Sequence, residues 1–488
     1  MLTKSEFIAG AQCHRLLWWR RHEPGAVELQ PDRVLQDLFD QGNLVGALAR
    51  ERFPGGVLIP HQRSRAERVR QTAEVIAAGA TVIFEASFLF EGTFVACDVI
   101  VREPEGWRLI EVKSSTRRKD EHIVDLAVQA HVLTQSGLPV SRIEVMHLNS
   151  EFRHPATNDL FASTSVTDEV RVWQPRVPDE IQRQLVVLEG ALPDVPIGLH
   201  CTEPWECVFA SRCWPEDERH ISNLYLVGPK RAAQYMAQGI HRIDQLPPTE
   251  RLSFTARRQL RSMASGERIV ESTLGAALRV LDAEPIGFLD FETIARAVPV
   301  WDAMAPWGMA AAQFSYHESQ PGGGYRHQEH LAEGPEDARP LVAQRLVEAT
   351  RGAAKVVTYS SFEKTRIRAL RETVPSLAGE LTALEGKLVD LLPIVRDHVY
   401  HPRFLGSFSL KHVLPALVPE LSYSDLVIVD GRVASVEIAR LLFVADRIPA
   451  AERDHVRHDL LEYCKRDTWA MVRLLEVLRG LASQDGRP

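Results

Sequence analysis

The sequence predicts an α/β protein made of two α/β halves joined by a helical stretch. Three observations predict it. Strand-like and helix-like runs interleave over roughly the first 215 residues, strand signals disappear between about 216 and 280, and a second interleaved pattern starts at Pro285. A chain of 488 residues is too long for one typical core, so two or three domains are expected. The expected divisions are 1–218, a helical linker over 219–282, and 283–488.

In the first half, Leu35 to Phe53 reads as a helix, and Arg63 to Ala78 as a charged amphipathic helix stopped by Gly79. Two strand runs follow, TVIFEASFLF and GTFVACDVIV, joined by Glu91-Gly92. The turn REPEG leads into a third strand, GWRLIEVKSS. Asp125 to Thr134 is helical in pattern and Arg142 to Asn149 is again a strand. In the linker, LVGPKRAAQYMAQGIHRIDQLPP has the shape helix, glycine, isoleucine, helix start. It resembles a helix-hairpin-helix unit, and it reads equally as a plain helical connector. The second half offers the strands IGFLDFET and KVVTYSS, the helical FEKTRIRALRETV, and a long last helix from about Ala451 to Leu481.

Hydrophobic residues are 45% of the chain, charged residues 25%, and the net charge is −8. That balance excludes a globally basic nucleic-acid binder, so any such contact must come from local clusters. Arg20-Arg21, Arg63 to Arg70, Arg117-Arg118-Lys119 and Ala256 to Arg261 are the candidates, and each also reads as a solvated helix face. No apolar run of about 18 residues suggests a membrane span, and MLTKSEFIAGAQ has no apolar signal-peptide segment. The expectation is a cytoplasmic protein, where structural disulfides are rare, so the six cysteines need another account.

The first chemical constellation lies in the strands. Side chains alternate along a strand, so Glu111 and Lys113 share a face while Ile110 and Val112 share the other. Asp98 interrupts the apolar strand before them. Buried carboxylates must be paired or hold a metal. Asp98 and Glu111 can hold Mg²⁺ or Mn²⁺ through oxygen, with Lys113 orienting a water or balancing charge on a phosphate. The same spacing also fits a hairpin with a solvent-exposed Glu–Lys pair. Strand with Asp98, turn, strand with Glu111-Val112-Lys113, then helix with Gln129 resembles the PD-(D/E)XK nucleases, and most of all their RecB-like branch, which includes the CRISPR-adaptation exonucleases. The resemblance implies a restriction-endonuclease-like fold, metal-binding Asp98 and Glu111, and catalytic Lys113 and Gln129. Leu133 stands where that branch has a tyrosine, and Glu85 is the substitute for its upstream metal-binding histidine.

Cys201, Cys207 and Cys213 are separated by five residues each, a poor match to paired zinc ligands. One more thiolate would complete a four-cysteine iron–sulfur site, and Cys13 is the candidate. RecB-like nucleases of the iron–sulfur type resemble this arrangement, which implies a [4Fe-4S] cluster pinning the two ends of the domain. Unrelated buried thiols are the alternative. Cys97 and Cys464 read as ordinary buried cysteines.

In the second half, Asp290 and Glu292 share one strand face, and Tyr463 and Asp467 lie four apart on a helix. They also read as a strand end and a surface pair. Together with SSFE at Ser360 to Glu363 they resemble the DEDD exonucleases of the ribonuclease-H-like fold with a Tyr-x-x-x-Asp motif. The resemblance implies two divalent ions held by Asp290, Glu292, Glu363 and Asp467, with Tyr463 placing a water. Glu363 stands where the family has aspartate. Asp390 is a further candidate acid, and Lys411 and His412 are candidate phosphate contacts. The chain as a whole resembles a bacterial family of unassigned function that fuses these two halves, with DFET, FEK, GSFSLK and YCKRDT as shared motifs. The expected function is a metal-dependent nuclease with two sites, an exonuclease on single-stranded DNA ends in repair or defence. RNA is an alternative substrate. A single active half with the other as a nucleic-acid clamp, and a redox-gated binding protein, are alternative roles.

Overall fold

The computed structural model describes residues 1–155 and 158–485. It is a mixed α/β structure that divides into two compact units, Met1–Trp214 with Arg296–Gly308, and Pro215–Ala295 with Met309–Pro488. Residues 219–282, expected as a linker, therefore fall within the second unit.

The first unit is built on one mixed sheet. Its strands are β1 (Leu2–Thr3), β2 (Val57–Leu58), β3 (Val82–Phe90), β4 (Thr93–Glu103), β5 (Gly106–Lys113), β6 (Val140–Leu148) and β7 (Phe161–Ser165). The order is β2-β3-β4-β5-β6-β7, with β1 beside β4. Strands β3, β4 and β5 form an antiparallel meander, because Glu91-Gly92 and Pro104-Glu105 are short turn connections. The β5–β6 pair is parallel and therefore needs a crossover, supplied by the Glu121–Gln135 helix. That helix is buried nearly all round, from Ile123 to Leu133, and packs into the core with Val95, Leu109 and Val145. Gly106 opens β5 with a φ of +145°, where a Cβ would meet the Pro139 carbonyl oxygen at 2.5 Å. Only glycine fits there, so β5 can start hard against the β6 entry.

Thr3 caps the Lys4–Gln12 helix in a capping box: Thr3 Oγ1 accepts from the Glu6 amide, and Glu6 Oε2 accepts from the Thr3 amide at 2.8 Å. Lys4 is thereby fixed as the first residue of the helix. The Arg33–Arg50 helix carries Asp37 and Gln41, which bind Arg296 Nη1 at 2.8 Å and the Ala297 amide.

The second unit holds the mixed sheet β11-β10-β9-β12-β13. The small pair β8 (Ile269–Val270) and β14 (Val399–Tyr400) stands apart from it. The main strands are β9 (Ile286–Ala295), β10 (Met309–Ser319), β11 (Tyr325–Leu331), β12 (Lys355–Thr358) and β13 (Leu388–Asp390). The central strand β9 runs antiparallel to β10 and parallel to β12. The last helix, Ala450–Asp485, packs across β9 and β10. Two short segments depart from expectation. Strand β8 lies in the stretch expected to be helical. The second helix of the candidate helix-hairpin-helix is only a 3₁₀ turn, Ile243–Gln245, because Pro247-Pro248 follows at once.

Candidate functional site

In the first unit, strand alternation brings Glu111 and Lys113 to one face, and Lys113 Nζ donates to Glu111 Oε1 at 2.7 Å. Asp98 Oδ2 accepts from the Val112 amide at 2.7 Å. The crossover helix adds Gln129, whose Nε2 donates to Glu111 Oε2 at 2.8 Å. Glu85 lies opposite Asp98, since the β3–β4 register is unchanged from Phe84↔Val99 to Ala86↔Cys97. Its φ of +58° is unusual for a glutamate and is held by the surrounding sheet. Glu85 Oε2 lies 3.4 Å from His61 Nε2 and 3.7 Å from Arg68. All five expected residues of this site are thus neighbours.

Two further residues complete it. Asp125, one helical turn before Gln129, accepts from Lys113 Nζ and from Gln129 Nε2 at 2.7 and 2.8 Å. Lys4 Nζ reaches both oxygens of Glu111, at 3.0 and 3.2 Å, and lies 3.4 Å from Asp125. Three acids therefore share two ammonium groups. Burial, then the charges of Asp125 and Asp98, pushes Glu111 up to about 7. Burial also raises Asp98, against the pull of Lys4 and Lys113. For Asp125 burial is outweighed by Lys113 and Lys4, and its carboxyl is held far below the usual range. Burial works against the Lys113 ammonium, but Asp125 and Glu111 outweigh it and keep the group charged. Both missed residues left a signal: Thr3-Lys4-Ser5-Glu6 is a capping-box pattern, and Asp125 is four residues before Gln129.

The cysteines converge as well. Cys13 sits between two helices, Lys4–Gln12 and His14–His22, and lines one pocket with Cys201, Cys207 and Cys213. Leu16, Trp19 and Ile197 add apolar walls. All four are free thiols, and Arg15 Nη1 donates to Cys213 Sγ at 3.5 Å. Burial pushes the thiols of Cys13 and Cys207 up. Cys97 is an apolar core residue, as expected. Cys464 is buried too, but its Sγ is 3.4 Å from Asp290 Oδ2, which places it against the second acidic cluster.

In the second unit, Asp290 and Glu292 project from β9 toward Asp467 on the last helix. Each offers a carboxylate oxygen, and the three oxygens lie within 4.8 Å of one another. Glu363, in the first turn of the Phe362–Thr373 helix, is next to Asp290, and among the described residues its buried Oε2 has no hydrogen-bond partner. Tyr463 lies one turn before Asp467 and donates to it, as does Tyr423. No local pattern marks Tyr423, which reaches the site from a loop. Asp390 caps the Leu391–His398 helix through the Leu392 amide at 2.9 Å, and its charge also acts on Glu363. Lys411 Nζ donates to the Val429 carbonyl at 2.6 Å and acts on Glu292 and Asp467 only through its field. His412 bonds Ser409.

Here burial is not offset. Burial, then the charges of Asp467 and Glu292, holds Asp290 well above its ordinary value. Glu292 is raised in the same way by burial, Asp467 and Asp430. Burial pushes Glu363 up to about 7, and pushes Asp467 up to about 6 against the two tyrosine hydrogen bonds. The buried tyrosines keep their protons.

Residues 287–409, about a quarter of the chain, match a family model described as a domain of unknown function (DUF2779). The matched segment contains Asp290, Glu292 and Glu363 and ends before Tyr463 and Asp467. Among solved structures, the chain is similar to the family B DNA polymerase from the hyperthermophilic archaeon Pyrobaculum calidifontis, at 16% identity and a TM-score of 0.26. The similarity covers 41% of this chain and 27% of the polymerase, so the chain spans about a quarter of that protein's length. No curated protein matches the chain.

The raised acids fix the sign of a pH effect. Glu363 and Asp467 have folded values of about 7 and about 6, above their ordinary 4.5 and 3.8. Between those limits the fold binds more protons than the unfolded chain, so stability falls as pH rises. In EDTA, the denaturation midpoint should drop from pH 5 to pH 7, and the Glu363→Gln, Asp467→Asn double variant should drop less. An equal drop in both proteins would contradict the assignment.

Proposed function

We propose that the chain is a divalent-metal-dependent nuclease with two active sites, acting as an exonuclease on single-stranded DNA ends in repair or defence. The observation that carries the reading is the convergence of Asp290, Glu292 and Asp467, whose carboxylate oxygens lie within 4.8 Å of one another, with Glu292 buried and the other two half-buried. Among the described residues, none of the three forms an ion pair with an ammonium or guanidinium group. Their all-oxygen donor set fits Mg²⁺ or Mn²⁺. Asp290, Glu292, Glu363 and Asp467 would hold such ions, which when bound supply Lewis-acid stabilisation and lower the pKa of water. The Tyr463 hydroxyl, kept protonated beside Asp467, places the attacking water. This supports a ribonuclease-H-like, DEDD-type reading of the second unit.

In the first unit, Asp98 and Glu111, with Glu85 opposite, are the metal-holding acids of a PD-(D/E)XK reading. The Lys113 ammonium, charged through the physiological range, balances negative charge on the phosphate. Gln129 orients Glu111 from the side. A second reading, in which only the second site cuts and the first unit holds substrate, is supported by Lys4. Its ammonium already spans both oxygens of Glu111, where a cation would sit. The cysteine pocket, four soft thiols with apolar walls, Cys201 buried and the other three half-buried, fits a [4Fe-4S] cluster. There its thiolates would tie the N-terminal helices to residues 201–213.

End-labelled single-stranded DNA, double-stranded DNA and RNA, digested with Mn²⁺, separate these readings. Lys113→Ala and Asp467→Asn should each lower the rate at least 100-fold at their own site, leaving the activity of the other. If Lys113→Ala leaves every product unchanged, the first unit is the clamp; if the double variant digests DNA at the wild-type rate, the nuclease reading is wrong. Purified anaerobically, the protein should be brown, and Cys207→Ser should bleach it. Colourless wild-type protein with no bound iron would remove the cluster.

A further inference from the structure

A groove of the first unit lies at the start of its first helix, one residue from Lys4. It is lined by Thr3, Ser5, Glu6, Arg20, Arg21 and Arg65. Its charge is not balanced within the fold. Glu6 is already taken up by Arg21, at 2.8 Å, and by the Thr3 capping box. Among the described residues, Arg20 and Arg65 have no carboxylate partner, and the Nε of Arg20 is buried with no hydrogen-bond partner. Arg65 and Arg68 both lie over the Phe94 ring, each 5.7 Å from its centroid. Arg68 is 8% exposed, and among the described residues its Nε and Nη2 have no hydrogen-bond partner.

The groove also connects to the site through the fold. Thr3 pairs with Phe94 in the β1–β4 register, and the next residue, Lys4, reaches Glu111. Phe94 is four residues before Asp98, about 13 Å away along β4. Arg68, on the Arg65–Ala77 helix, lies 3.7 Å from Glu85 Oε2 through Nη2. A guanidinium held in a fork geometry without a carboxylate is a ready donor to phosphate oxygens.

We infer that this groove is the track for the sugar–phosphate backbone of a single nucleic-acid strand running toward Asp98 and Glu111, with Arg20 and Arg65 each binding one phosphate. The inference rests on the nuclease reading of the first unit. The strand lies with its phosphates toward the arginines, and the Ser5 hydroxyl is an additional donor; the Thr3 hydroxyl already donates to Glu6 Oε2 at 2.7 Å. Because the contacts are to the backbone, the groove selects for a polyanionic strand and not for a base sequence.

The test is binding of a fluorescein-labelled 20-mer of thymidylate to the full chain in EDTA, by anisotropy, across a range of salt concentrations. Each phosphate contact on a single strand contributes about 0.7 to the slope of log affinity against log salt. Arg20→Gln, Arg65→Gln should therefore flatten the slope by about 1.4, and either single variant by about half as much. Arg20→Lys, Arg65→Lys, which keeps both charges, should retain the wild-type slope. If the double variant unfolds, the single variants carry the test. A wild-type slope in the glutamine variants, with wild-type melting temperatures, overturns the groove and leaves the nuclease reading standing. A wild-type protein that does not bind the oligonucleotide at all overturns both.

Discussion

Buried carboxylates crowd together in both units, and the fold must balance their charge. Removing a carboxylate from water is costly, and placing a second one within a few ångströms makes it more so. Such a cluster persists only if it takes up protons, internal cations or metal ions. The two units answer this differently. The first brings in two ammonium groups, Lys4 and Lys113, for three acids. The second surrounds Asp290, Glu292 and Asp467 with tyrosine hydroxyls, a thiol and a distant lysine, none of which cancels the charge.

The backbone arrangements that create the clusters are economical. In both units a central strand carries two charged residues at i and i+2, so one strand contributes a pair without a turn or bulge. A helix packed across that strand brings the remaining groups at i and i+4, Asp125 with Gln129 in one case and Tyr463 with Asp467 in the other. The first helix of the chain is fixed by the Thr3–Glu6 capping box, which sets where Lys4 enters. Local features of the chain thus determine which charges meet, although the residues are far apart in sequence.

Much of this was legible in the sequence. The runs that become β3, β4, β5, β6, β9 and β12 alternate or are strongly apolar, and the helices at 65–77 and 362–373 carry clear amphipathic patterns. The residues of both candidate sites, from Asp98 to Gln129 and from Asp290 to Asp467, do come together. What was not legible has physical causes. The capping box marks Lys4 as a helix start but says nothing of its partner 107 positions on, and Tyr423 acts on a residue 44 positions away with no local pattern to report it. Asp390 caps a helix and also acts on Glu363 through its charge, and its residue type alone does not separate helix capping from metal binding. Strands β10 and β11 were not anticipated, since β10 is buried on both faces and β11 is rich in charged and polar residues, so neither alternates cleanly.

Anomalous scattering at the manganese edge, from crystals grown with Mn²⁺, addresses the central claim most directly. The account predicts density among the carboxylates of Asp290, Glu292 and Asp467, lost in Asp467→Asn. Crystals of the wild type with no such density, and with the three acids instead protonated and hydrogen-bonded to one another, would contradict it.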